Sequence, residues 1–342
     1  MKKVLLASTA LIMSAGFAAA DVSVGGDGRM GVIKGFLPGA VETDPNTGDI
    51  IDSVDSELTF TSRIRISFAA SGETDGGLAF GGSIRADNAT GGAAGNDGSV
   101  FVEGAFGKLS MGDVDGAAAA AVGFVSGVGL TGLGDLNEII YVANVGPDTP
   151  GALYEYSFGD FGFYLSADAP GSSITLASGI NTDFDAWAAG ANYSFGNFTF
   201  GLGYEDTDAA TIEVGDPDLN VNIQTTVPAT HWVVGGTASF GDFTGKAQYG
   251  WGDAETAGGD LDIEQWAVSG DYTFGATTLT AYYRWSEIKT AVEVEAYGIG
   301  AAYDLGGGAS LVGGWANGDL TDVAAGESYD NDTYDFGISF TF

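Results

Sequence analysis

The sequence predicts an all-β fold, a closed antiparallel barrel of sixteen strands that crosses a membrane. Three observations carry that expectation. The chain ends on Thr333-Tyr334-Asp335-Phe336-Gly337-Ile338-Ser339-Phe340-Thr341-Phe342, where polar and apolar residues alternate without a break. A two-residue period sends alternate side chains to opposite faces of a strand, one wanting lipid or core and the other water. Seven short glycine turns recur along the chain and alternate with eight longer, mostly acidic segments. Finally, 57 glycines, 12% aromatics and only 7 prolines in 342 residues suit many strands joined by tight turns rather than helices.

Taken in order, the chain opens on an export signal. Met1-Lys2-Lys3 is basic, residues 4–17 are apolar, and Ala18-Ala19-Ala20 offers small residues for cleavage, leaving residues 21–342 as one barrel domain. The apolar run is too short and too interrupted by Ser8, Thr9 and Ser14 to span a bilayer, and no later stretch reaches the length of a membrane helix. Export without a single cysteine argues against a small disulfide-stapled fold. Without Lys2 and Lys3, nine basic residues face 46 acidic ones, a net charge of −37 with His231 neutral. Such a balance excludes nucleic acid as a partner. It suits solvated loops that face divalent cations and lipopolysaccharide.

The first strands fix the direction of the basic residues. In strand one, 22–32, Val22, Val24, Met30 and Val32 face outward, so Arg29 faces inward. Leu58, Phe60, Ile64, Ile66 and Phe68 turn Arg63 and Arg65 inward; Leu78, Phe80 and Ile84 do the same for Arg85. An arginine facing lipid at the bilayer midplane costs about 2–4 kcal/mol, so four arginines on three neighbouring strands require a wet interior. Later strands alternate as well, with Phe198, Phe200, Leu202 and Tyr204 outward against Thr199, Gly201, Gly203 and Glu205 inward.

The turns are Asp75-Gly76-Gly77, Phe106-Gly107-Lys108, Phe158-Gly159-Asp160, Phe195-Gly196-Asn197, Phe240-Gly241-Asp242, Phe274-Gly275-Ala276 and Leu305-Gly306. Each supplies a glycine for the positive φ of a tight hairpin, flanked by residues for an interfacial aromatic girdle. The long loops fall at 35–57, 87–99, 112–152, 168–184, 206–230, 252–262, 286–293 and 316–332. Short turns on one side and long loops on the other make sixteen strands with both chain ends on the short-turn side. A barrel of that size is too wide for side chains to fill and leaves an aqueous lumen.

The third loop, 112–152, is the longest and strongly apolar, with Ala117 to Ala121, Val122, Phe124, Val125, Val128, Leu130 and Leu133. Folded inward it would bury those residues and project Asp113, Asp115, Asp135 and Glu138 into the lumen. Facing Arg29, Arg63, Arg65 and Arg85, these acids would set up a transverse field that orients polar solutes. The arginines could also pair with wall carboxylates such as Asp27, Asp87 or Glu103, and both arrangements can coexist.

Four segments together carry a family resemblance: Gly26-Asp27-Gly28-Arg29-Met30-Gly31-Val32, Thr61-Ser62-Arg63-Ile64-Arg65, Gly104-Ala105-Phe106-Gly107-Lys108-Leu109-Ser110-Met111-Gly112-Asp113 and Tyr303-Asp304-Leu305-Gly306-Gly307-Gly308-Ala309-Ser310. With them the mature chain resembles the alphaproteobacterial, Rhodobacter-type general porins. The resemblance implies a homotrimer in the bacterial outer membrane, among its lipid and lipopolysaccharide, with short periplasmic turns, long extracellular loops and an inward-folded third loop. It also implies passive diffusion of ions and small hydrophilic solutes, the four arginines as the basic side of the constriction, and Phe342 as the strand-end assembly signal. This third loop is richer in alanine and glycine than the family pattern and lacks the Pro-Glu-Phe-Gly run of enterobacterial relatives.

No cofactor is required. Calcium is the one ion to consider, on acidic clusters such as Glu205, Asp206 and Asp208, yet no loop has EF-hand spacing or a glycine-rich nonapeptide repeat. Enzymatic activity is not expected: His231, the sole histidine, opens a strand 231–240 at a loop edge, and no glycine-framed serine motif is present. Two rival readings are a substrate-specific channel, which should saturate, and an adhesive or structural barrel, which should not conduct. The acidic vestibule against a local arginine wall leads to an expectation of weak cation selectivity.

Overall fold

The computed structural model describes residues 21–35, 41–43, 50–53, 58–87, 98–143, 151–167, 172–175, 181–184, 186–214, 223–256, 258–323 and 326–342. The proposed export signal, 1–20, lies outside the described residues. Sixteen antiparallel strands close into one barrel, as the alternation predicts. Its first half contains β1 (Asp21–Lys34), β4 (Thr59–Glu73), β5 (Ala79–Asp87), β6 (Gly98–Gly104), β7 (Gly107–Gly112), β8 (Gly151–Phe158), β9 (Phe161–Ala167) and β12 (Ala186–Phe195). Its second half contains β13 (Phe198–Val214), β14 (Ile223–Phe240), β15 (Phe243–Thr256), β16 (Gly259–Phe274), β17 (Thr277–Ile288), β18 (Val292–Gly306), β19 (Ala309–Asp322) and β20 (Glu327–Thr341). Two small hairpins stand apart in the loops, β2 (Val41–Thr43) with β3 (Ile50–Ser53), and β10 (Ser172–Thr175) with β11 (Asn181–Phe184).

The barrel closes where β20 pairs with β1, from Asp27 opposite Thr341 to Lys34 opposite Tyr334. Phe342 extends the closure, exchanging two main-chain hydrogen bonds with Gly26 at 2.8 and 3.0 Å. All seven predicted short turns join barrel neighbours, and Gly159, Gly196, Gly241 and Gly275 take φ near +60°. The outward residues are exposed as expected, among them Val24, Met30, Phe60, Ile84, Phe200 and Phe336.

The long loops of the second half differ from expectation. Segments 206–230, 252–262, 286–293 and 316–332 are largely strand: β13 and β14 remain paired to Val214 opposite Ile223, and β15 and β16 to Thr256 opposite Gly259. β19 and β20 likewise run to Asp322 opposite Glu327. Above the apolar band both faces of a hairpin meet water, so alternation stops while backbone pairing continues. The wall is therefore tall from β13 to β20 and low from β5 to β9.

The apolar core is inside the barrel, under the third loop. Ala117, Ala118, Val125, Ile139 and Tyr141 pack against Leu153, Ala188, Val233 and Ala267 of the wall. A second cluster joins Val142 to Ala229, Ala254, Ile263 and Leu320; a third joins Val128, Leu133 and Leu136 to Tyr282, Ala296 and Ala316. Removing this much apolar surface from water, at about 25 cal/mol per Å², is what folds the loop inward.

Candidate functional site: the channel lumen

The third loop begins with a short alanine helix, α1 (Ala117–Val122), that contacts β9, β12, β13 and β14. It approaches so closely because the wall offers bare glycines there. A Cβ on Gly201 would lie 2.6 Å from the Ala121 carbonyl, and one on Gly203 2.6 Å from the Ala118 Cβ. The loop then crosses to the closing seam. At its tip the Asp335 carboxylate on β20 accepts hydrogen bonds from the amides of Leu130 (2.8 Å) and Thr131 (2.6 Å) and from the Thr131 hydroxyl (2.8 Å). A 3-10 turn, Leu133–Asp135, reverses the chain, with Leu133 and Asp135 both at φ +51°. The return segment runs back to β13, where Glu205 accepts from the amides of Val142 (3.0 Å) and Ala143 (3.3 Å).

The described part of the loop thus lines the wall from β8 round to β20 and meets β1 at its tip, where Leu130 lies against Gly31 and Ile33 packs on the Val128 and Leu133 cluster, leaving β4 and β5 uncovered. Arg29 lies on β1, Arg63 and Arg65 on β4, and Arg85 on β5. The register, which the sequence could not supply, sets Arg29 opposite Arg63, Asp27 opposite Arg65, and Arg65 opposite Asp87. Two arginines face each other directly, an arrangement that costs stability unless it is compensated. Compensation is at hand: Arg63 pairs with Asp27 at 3.2 Å, while Arg65 and Arg85 share Asp87 at 3.0 and 2.9 Å. Arg29 reaches across to the loop tip and donates to the carbonyls of Leu130 and Thr131 at 3.3 and 3.2 Å. The buried Nε groups of Arg29 and Arg63 have no acceptor among the described residues. Glu103, the third anticipated partner, lies opposite Lys108, whose ammonium instead binds Glu155 at 3.0 Å.

Of the predicted acids, Asp113, Asp115 and Asp135 are exposed and Glu138 is half-buried. Burial, and after it the neighbouring Asp135, pushes the Glu138 carboxyl up to about 7 from its ordinary 4.5; Arg284 opposes the rise and Asp115 adds to it. Asp135, Asp115 and Glu138 therefore share one acidic neighbourhood. Asp113 sits at the loop entry, its amide bonded to the Gly98 carbonyl at 3.0 Å.

The residues that sequence reasoning missed are the ones that hold the loop. Gln248 accepts from the Val125 amide at 3.2 Å and donates to the Gly123 carbonyl. Gln265 grips Ile140 in both directions, accepting from its amide at 2.8 Å and donating to its carbonyl at 2.7 Å. His231, expected at a loop edge at the start of its strand, lies well inside β14 and is fully buried, with Nδ1 2.8 Å from Glu205 and Nε2 2.9 Å from Gln265. Alternation does place Glu205, Gln265 and Asp335 on the inner face; nothing local says that a loop will meet them there.

Calcium finds no support in this geometry. Glu205 is buried inside, whereas Asp206, bonded to the outward Tyr204 at 2.8 Å, lies on the opposite face, and Asp208 falls where the ladder shifts register. Among the described residues no three His, Asp or Glu converge to hold a metal ion.

The chain matches the family described as Gram-negative porin over residues 7–323. It is 36% identical to a porin of Rhodobacter capsulatus, over 94% of this chain and all of that protein. The chain is a Gram-negative porin. A solved porin structure superimposes with a TM-score of 0.70 at 32% identity, covering 94% of this chain and all of the other. OmpT of Vibrio cholerae, solved in its trimer form, shares the fold at 16% identity with a TM-score of 0.67, over 95% of this chain and all of its own. This porin is therefore an outer-membrane channel for passive diffusion and not an enzyme.

Proposed function

We propose that this porin admits ions and small hydrophilic solutes through a constriction with a fixed transverse field, the acidic third loop on one side and the arginine wall on the other. One observation carries the reading: the described loop covers the wall from β8 to β20 and reaches β1 only at its tip, beside Arg29, while β4 and β5, which bear Arg63, Arg65 and Arg85, are uncovered. Asp115, Asp135 and Glu138 supply the negative side; Asp113, at the loop entry, adds to the vestibule. Wall pairing does not cancel the field, because Asp87 neutralises only one of the two arginines it binds. An apolar solute would have to strip water that this field orders, so polar solutes pass more readily.

We further propose a homotrimer with one pore per subunit. Support comes from the outer surface. Aromatic residues mark a membrane-water interface, and β12 to β19 carry such a belt, including Trp187, Tyr204, Trp232, Trp251, Trp266 and Trp315. β1 and β4 to β7 contain no tryptophan or tyrosine at all. A wall without an interfacial belt, and low from β5 to β7, is better covered by protein than by lipid, while the belted side faces lipid and lipopolysaccharide. Residues 1–20 act as a cleaved export signal, and Phe342 as the recognition end for assembly.

Planar-bilayer recording of the purified protein tests this reading. Conductance steps in threes, linear in salt and unaffected by any one sugar or amino acid, are expected. Saturation by a single solute would mean a specific channel. Silence from well-folded protein would mean an adhesive or structural barrel.

A further inference from the structure

We infer that Glu205 and Asp335 are positioning residues that set the aperture by gripping the main chain of the third loop at its tip and on its return segment. This rests on the reading that the loop narrows the channel. Each carboxylate sits fully or almost fully buried on the inner wall and faces consecutive loop amides, Asp335 those of Leu130 and Thr131, Glu205 those of Val142 and Ala143. Hydrogen bonds to an ionised acceptor are shorter and roughly twice as strong as neutral ones. Between these two grips lies the stretch 132–141, which carries Asp135 and Glu138, so the place of both acids in the lumen depends on them.

Glu205 is itself aimed by a relay. Because Gln265 accepts the Ile140 amide proton on Oε1, its Nε2 is the donor both to the Ile140 carbonyl and to His231 Nε2. His231 must then carry its proton on Nδ1 and donate it to Glu205 Oε2 at 2.8 Å. The neutral imidazole holds the carboxylate at the angle that meets Val142 and Ala143. Apart from the Thr131 hydroxyl, the loop meets Glu205, Gln265 and Asp335 through its main chain, so these contacts constrain the loop's path and leave most of its side chains free to vary.

Hydrogen exchange read by mass spectrometry, with bilayer recording of the same preparations, tests the inference. The isosteric variants Glu205→Gln and Asp335→Asn keep the volume of each site, and unchanged exchange of the barrel strands reports that the fold is intact. Glu155→Gln, a wall carboxylate paired with Lys108, serves as the control. Glu205→Gln is expected to speed exchange about tenfold or more in residues 138–143 alone, and Asp335→Asn in residues 128–133 alone. Both variants should close at lower voltage than the wild type. Wild-type exchange in both variants would overturn the inference, and so would a loosened loop with unchanged conductance and closure voltage. A wild type that does not conduct would overturn the porin reading instead.

Discussion

On the proposed reading Glu138 gives the lumen a titratable charge near neutrality. Burial beside Asp135 raises its carboxyl to about 7, so on the acid side it is neutral and on the alkaline side it bears a negative charge. Cation preference should therefore fall as the pH is lowered from about 9 to about 5, with an inflection near the Glu138 value. Reversal potentials in a salt gradient at stepped pH check this, and Glu138→Gln should abolish the inflection. A second expectation concerns Asp87. Arg65→Ala leaves Arg85 to hold that carboxylate, so the single variant should shift selectivity modestly; adding Arg85→Ala frees the acid and should shift it further toward cations than the two single changes together predict. At this scale the sequence made the direction of every wall arginine legible, through the parity of its apolar neighbours. It left their pairing hidden, because Arg29 beside Arg63 is a fact of register between strands thirty residues apart. It also left His231 misread, since a fully buried histidine and an exposed one look alike in a polar stretch.

The alanine helix α1 and the glycines of β12 and β13 form one element split across seventy residues. Neither half explains itself: an alanine run reads as a weak helix, and glycines in a strand read as a liability. Together they let the helix lie against the wall, which keeps the lumen open. Gly203→Leu should push α1 inward, lower single-channel conductance and cost about 1–3 kcal/mol of stability, read as a lower unfolding temperature with the barrel's circular dichroism unchanged. Turns and strands were legible throughout, because glycine at positive φ and period-two alternation are local signals. The tall hairpins of β13 to β20 were not, because above the membrane a strand no longer needs an apolar face, and acidic residues such as Asp319 and Asp330 pair across the ladder as readily as valines.

As a whole, the molecule is asymmetric about its own pore. One side of the lumen is padded by an apolar loop, and the other is a thin wall that carries the arginines. Three clusters of buried residues hold the first side in place, and cross-strand carboxylates hold the second. The net charge of −37 without residues 1–20 draws cations to the mouths, while on the proposed reading the arginines oppose them at the constriction. Weak cation selectivity is the expected balance. The closure of the barrel by Phe342 against Gly26 belongs to this scale too, and Phe342→Ala should lower the yield of assembled protein in the outer membrane without changing the conductance of the channels that form.

The most direct test of the transverse field is the reversal potential in a salt gradient, measured on the wild type and on the Arg63→Ala, Arg65→Ala double variant. A weakly cation-selective wild type and a variant moved further toward cations would place these arginines at the constriction. An anion-selective wild type, or a variant with an unmoved reversal potential, would contradict the account.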